Sequence, residues 1–294
     1  MKYAVCDIGS NTIRLCVYEL ENGKIKTLVN NKEHTELAKY IENNLISEEG
    51  IEAAVEAILK HKETVFELGI EKPMYFATAA LRNIENSKEA VAKISEKSGV
   101  FIDVISGEEE AMCDFLGATC DFEILEGVVC DIGGGSSEIV YFKNGEMCGG
   151  CSLPIGSLLA YKKFVANEFP DSKETENLKN EIGKLFDEQA FDIPGGLVLC
   201  GIGGSICSAL SLYNMYYGLT SNMDMECEKF HKMLLEILIS DNKRDLISKV
   251  SKSRIYTLLP GMIILDKIVS MLEISLIKVT YNGVREGYLI KNVI

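Results

Sequence analysis

The sequence predicts an α/β protein of two related halves, and three observations predict it. A chain of 294 residues that is 47% hydrophobic and 25% charged is ordinary globular material, with room for two domains of roughly 100 to 200 residues each. The pentapeptide Val5-Cys6-Asp7-Ile8-Gly9 returns letter for letter as Val129-Cys130-Asp131-Ile132-Gly133, and such a repeat constrains architecture before any local reading does. After each copy, helical and strand spacing of apolar residues alternate, the mark of a sheet with helical crossovers. Two similar halves imply two similar domains facing a cleft: residues 1–120 with a returning helix at 283–294, and residues 121–282.

Residues 3–6 read as a strand, 7–12 as a tight polar turn and 13–20 as a second strand, followed by Asn22-Gly23, a pair favoured in two-residue hairpins. The second copy repeats this as strand 127–130, turn 131–137, strand 138–142 and Asn144-Gly145. Between the copies, spacing predicts a helix over 48–68, a strand over 74–77, a helix over 87–98, a strand over 100–105 and a helix over 108–118. Ser106 and Glu109 open that last helix with the pattern of a capping box. The second half continues with a helix over 172–188, a strand over 196–200, a Gly-rich turn over 201–205 and further helices. A helical segment over 283–292 could cross back to the first half.

Thirty Lys plus Arg against 44 Asp plus Glu leave a net charge of −14. That balance argues against a nucleic-acid partner and means that any polyanion needs a local basic pocket. Arg14, Arg82, Arg244, Arg254 and Arg285 are the whole supply of guanidinium. Lys162-Lys163, Lys243-Arg244 and residues 249–254 read as solvated helix faces. The most apolar stretch, 255–279, is broken by Pro260, Asp266, Lys267 and Glu273, so it reads as core rather than a membrane span; a homodimer interface is the alternative. With no apolar leader after Met1, the chain reads as cytoplasmic, with no membrane partner. The ten Cys scatter through apolar strands, where thiols act as small hydrophobes. Cys148 and Cys151 form a lone Cys-x-x-Cys without a second pair or a nearby His, so a turn is preferred over a zinc or redox site.

A Gly- and Ser-rich turn after an apolar strand aims several backbone N–H groups in one direction, a natural cradle for phosphate. Three such turns occur: Gly9, Ser10, Asn11 and Thr12; Gly133, Gly134, Gly135, Ser136 and Ser137; and Gly203, Gly204 and Ser205. Phosphoryl chemistry also calls for a cation, and Mg²⁺ takes a few carboxylates with water and substrate oxygens. Asp7 and Asp131 at the strand ends are placed to supply them, with Glu138 seven residues on; the alternative for Glu138 is a solvated edge carboxylate.

In order along the chain, the turn at 7–12, Ala77-Thr-Ala-Ala-Leu-Arg82, Ile105-Ser-Gly-Glu-Glu-Glu-Ala111, the turn and Glu at 131–138, Leu153-Pro-Ile-Gly156, the turn at 201–205 and Gly283-Val-Arg-Glu-Gly287 resemble the exopolyphosphatase and guanosine pentaphosphate phosphohydrolase family. The resemblance spans nearly the whole chain. It implies two ribonuclease H-like/actin-like ATPase domains related by duplication, with an interdomain cleft. It also implies that Glu110 activates water and that Arg82 grips phosphate, with Arg14 a further candidate for that grip. Arg285, beside Glu286, reads as part of an interdomain ion pair.

The expected activity is hydrolysis of a phosphoanhydride, with Mg²⁺ as cofactor and inorganic polyphosphate or guanosine pentaphosphate as partner. An ATP-dependent kinase or ATPase on the same fold, or a nucleotide-binding regulator without turnover, are the alternatives. Two features depart from the family: Thr280-Tyr281-Asn282 stands where members commonly carry Ser-Asp, and longer members have an additional helical domain. The acidic balance predicts a short pocket rather than a long basic groove.

Overall fold

The computed structural model describes residues 1–21, 24–120, 124–189 and 193–293. The Asn22-Gly23 turn and the boundary at 120/121 fall on or beside residues outside that set. The first half runs β1 (Lys2–Ile8), β2 (Ile13–Glu21), β3 (Lys24–Glu33), the short pair β4 (Ile41–Glu42) and β5 (Leu45–Ile46), α1 (Glu48–Glu67), β6 (Met74–Ala77), α2 (Ala79–Arg82), α3 (Ser87–Ser98), β7 (Asp103–Val104) and α4 (Gly107–Thr119). The second half runs β8 (Glu126–Ile132), β9 (Ser137–Lys143), β10 (Glu146–Leu153), α5 (Ser157–Phe164), α6 (Ser172–Asp187), β11 (Val198–Ile202), α7 (Gly203–Tyr217), β12 (Asp224–Glu226), α8 (Cys227–Ile239), α9 (Lys243–Val250), α10 (Leu258–Met271), β13 (Leu276–Val279) and α11 (Val284–Val293).

Each half makes one main sheet. The first has the order β3-β2-β1-β6-β7 and the second β10-β9-β8-β11-β13-β12. In both, an antiparallel three-strand meander precedes parallel strands reached through helices. Asn144 and Gly145 both take positive φ at the β9–β10 turn, as a two-residue hairpin whose twist matches its strands requires. The predicted strand over 100–105 shrinks to β7. The predicted turn over 201–205 divides instead between the end of β11 and the first turn of α7.

The terminal helices of the two halves are exchanged. Cys113 of α4 and Val284, Tyr288 and Leu289 of α11 bury against Val5, Cys16 and Tyr18 of the first sheet. Ala111, Phe115 and Ala118 of α4 bury against Val129, Val140 and Phe142 of the second. The return of α11 agrees with the sequence reading; the crossing of α4 to the second sheet was not foreseen. The two helices touch through small residues: a Cβ on Gly117 would lie 2.0 Å from Gly283 O, and one on Gly287 1.7 Å from Cys113 O. No helix among the described residues is long and apolar enough to cross a membrane.

Candidate active site

The duplicated sequence folds into duplicated geometry. Asp7 and Asp131 are each the penultimate residue of a strand, and the four-residue loop that follows is closed by Gly9 N–H donating to Thr12 O at 3.1 Å and Gly133 N–H donating to Ser136 O at 3.0 Å. Both loops line one cavity of about 400 Å³ between the halves. Gly203 and Gly204, at the start of α7, close a third side. Gly203 has φ +79°, and a Cβ there would fall 1.8 Å from Asp131 Oδ1, so glycine is required on both counts.

The two copies differ in the strand partner of the aspartate. Asp7 pairs with Arg14 and Asp131 with Glu138, each seven residues on. The first copy therefore sets a cation beside its carboxylate and the second sets a carboxylate. Asp7 is also held by Arg285, whose Nη1 donates to its Oδ2 at 2.9 Å. The ion pair expected of Arg285 between the halves forms instead with Asp7 of the first half, while Glu286 accepts from the Tyr18 hydroxyl at 2.5 Å and from Gly283 N–H at 2.8 Å. Burial works against the Arg285 charge, but Glu286 and Asp7 outweigh it and hold the guanidinium protonated.

The acidic trio opening α4 divides its tasks by helical position. Ser106 and Glu109 make the reciprocal capping box, Glu109 also meets Lys291 at 2.9 Å, and Glu108 is exposed. Glu110 turns inward, 8% exposed, and lines the cavity. Arg82 Nη1 donates to Glu110 Oε2 at 2.6 Å and to Ile105 O at 3.2 Å. Burial raises the Glu110 carboxyl to about 7; Arg82 opposes this, and Asp131 and Asp7 add to it. Burial likewise lifts Asp131 to about 6, with Arg285 opposing, and raises Asp7.

Not every predicted residue reaches the cavity. Gly9, Ser10, Asn11, Thr12, Arg14, Gly133 to Ser136, Gly203 and Gly204 line it. Arg82 does not; it sits behind Glu110. Ser137 is fully buried and donates to Ile155 O at 2.7 Å, and Ser205 accepts from Arg254 at 3.4 Å. Glu138 does not line the cavity either and accepts from Ser152 Oγ at 2.7 Å. Its 2% exposure overturns the reading of a solvated edge carboxylate.

Among the described residues no three His, Cys, Asp or Glu side chains converge as a ready-made metal cage. Asp7 Oδ1 and Asp131 Oδ1 are buried without hydrogen-bond partners. Two uncompensated oxygens facing one cavity fit a hard divalent ion that takes its remaining ligands from water and phosphate. Cys148 is exposed and Cys151 buried, both on β10.

Arg254, Lys32 and His34 line the cavity although the sequence did not single them out there. Arg254 comes from the segment read as a solvated face. It reaches inward because Gly204 leaves room: a Cβ there would lie 2.0 Å from Arg254 Nη2. Tyr281, in the departing Thr280-Tyr281-Asn282 loop, also borders the cavity.

Two duplicated halves with exchanged terminal helices, closing phosphate-type turns on a shared cleft, define an actin-like ATPase fold. The chain belongs to the Ppx/GppA phosphatase family, which matches residues 16–293. A guanosine-5'-triphosphate,3'-diphosphate pyrophosphatase from Vibrio cholerae is 27% identical over 296 residues, covering 97% of this chain and 58% of its own. Exopolyphosphatase 1 from Mycobacterium tuberculosis is 27% identical over 184 residues, 61% of this chain and 54% of its own. The crystal structure of the Aquifex aeolicus family member shares the fold at a TM-score of 0.82 and 24% identity, covering 100% of this chain and 97% of that one. The chain spans about half the length of the curated relatives it matches.

Proposed function

We propose that the chain hydrolyses the terminal phosphoanhydride of inorganic polyphosphate or guanosine pentaphosphate in the cleft between its lobes, residues 1–120 with 283–294 and residues 121–282. The observation that carries this is Glu110: a buried carboxyl titrating near neutrality, oriented by Arg82, in a cavity walled by paired backbone turns. A base of that kind is poised to accept a proton at ordinary pH. Water attacks the terminal phosphorus, the bond to the bridging oxygen breaks, and the water proton passes to Glu110. Backbone N–H groups of the turns at 9–12, 133–136 and 203–204, with Arg14 and Arg254, hold the phosphate oxygens. Asp7 and Asp131 would hold Mg²⁺, which supplies charge neutralisation when bound.

The test is inorganic phosphate release from polyphosphate, guanosine pentaphosphate and ATP, each with and without Mg²⁺, by wild type and Glu110→Gln. The expectation is release from one of the first two, reduced by about 100-fold or more in the variant. Release that survives Glu110→Gln, or that occurs from ATP alone, would overturn the reading.

A further inference from the structure

Two phenylalanines stand almost bare on the first half. Phe66, in the last turn of α1, is 86% exposed, and Phe101, just before β7, is 83% exposed. Isolated surface rings would need no explanation, but these two line one groove of about 500 Å³. Val65, Ile70, Met74 and Val100 supply its apolar wall. The groove shares no lining residue with the catalytic cavity, so the phosphate chemistry makes no use of it. The apolar helix α10, where the sequence left an interface open, is buried in the second core.

A second copy of this chain suits the groove in shape, charge and area. Each copy carries both the protruding rings and the wall to receive them, the self-complementarity that a two-fold interface requires. With a net charge of −14, two copies repel over most of their surfaces, yet the charged lining of the groove is one cation, Lys62, and one anion, Glu71. Lys62 Nζ donates to Ser98 O at 2.6 Å, which fixes the cation at the groove. A two-fold axis passing between the two charges sets Lys62 of each copy against Glu71 of the other, whereas a partner of one sign would leave one of them opposed by a like charge. Four rings, two from each copy, take on the order of 600 Å² out of water at about 150 Å² each. The walls that receive them lose a similar amount, and the total of about 1,200 Å² reaches the size of a specific interface.

We propose that this groove is a homodimer interface, in which Phe66 and Phe101 of each copy seat in the groove of the other. The inference is independent of the hydrolase reading.

Sedimentation equilibrium tests it. The wild type is expected to be dimeric at about 100 μM, above the micromolar Kd that an interface of this size gives at its weakest. Phe66→Asp and Phe101→Asp should each weaken association about thirtyfold or more, with melting temperatures that show both variants folded. Lys62→Glu and Glu71→Lys should each dissociate the dimer, because either change sets like charges against each other twice. An equimolar mixture of those two variants should dimerise again, since each supplies the charge that the other lacks. A wild type that stays monomeric overturns the proposal and leaves the groove to a chain other than a second copy. A dimer that survives both phenylalanine substitutions places the interface elsewhere and overturns it equally. Charge variants that stay monomeric when mixed overturn the two-fold arrangement.

Discussion

At Glu110, burial disfavours the carboxylate, Arg82 favours it, and Asp131 and Asp7 across the cleft disfavour it again. Since a base works in its ionised form, kcat/KM should climb as pH rises through about 7. Arg82→Ala removes the contact that lowers this carboxyl, so the acidic limb should move to higher pH, and Arg82→Lys should move it less. A limb that stays in place in both variants would show that another group controls it. The same two residues show where sequence reading reached and where it stopped. Glu110 is singled out by the family resemblance, while the capping pattern by itself accounts only for Ser106 and Glu109. Arg82 was expected to grip phosphate, but its Nη1 is engaged by Glu110 and Ile105 O, neither of which its local sequence reveals. Arg254 reads as part of a solvated face because its environment is made by Gly204, 50 residues earlier, and the Asp7 partner of Arg285 is hidden because it lies 278 residues away.

Among the elements, strands and helices bounded by strong local signals were legible. β6 and α3 fall on the predicted residues, set by the aromatic pair Tyr75 and Phe76 in the strand and by a left-handed Gly99 that ends the helix. β7 shortened because its strand character comes from pairing with two residues of β6 rather than from its own composition. The exchange of α4 and α11 was half legible: the apolar stripe of α11 needs a partner, but the stripe of α4 does not say which sheet it will cover. That exchange depends on Gly117 and Gly287. A methyl on Gly287 would enter the space of Cys113 O, so Gly287→Ala should cost about 1 to 3 kcal/mol, read as a lower urea midpoint. It should also slow phosphate release, since it pushes on the turn that carries Arg285 to Asp7. An unchanged midpoint would contradict the packing described.

On the scale of the whole molecule, some of the acidic groups are buried behind the cleft rather than spread over the surface. Asp114, one turn beyond Glu110 on α4, is 1% exposed and neither of its oxygens has a hydrogen-bond partner. Burial raises it well above the ordinary range, and Asp131, Glu138 and Glu110 push it further; Glu138 is raised by burial in the same way. The folded protein thus keeps protons that the unfolded chain releases near pH 4. More protons bound in the folded state means stability that falls as pH rises above about 4, through about 6 for Asp131 and about 7 for Glu110. The metal-free protein should melt at a higher temperature at pH 5 than at pH 8. Asp114→Asn should reduce that difference, with a gain of about 2 °C or more at pH 8; an equal change at both pH values would exclude an ionisation effect. Because α4 is clasped between the second sheet and α11, while α11 covers the first sheet, neither half can come apart without uncovering the other. The amide hydrogens of α4 should therefore exchange with solvent deuterium only by global opening, the slowest in the chain, and the two lobes should unfold in a single transition despite having separate cores.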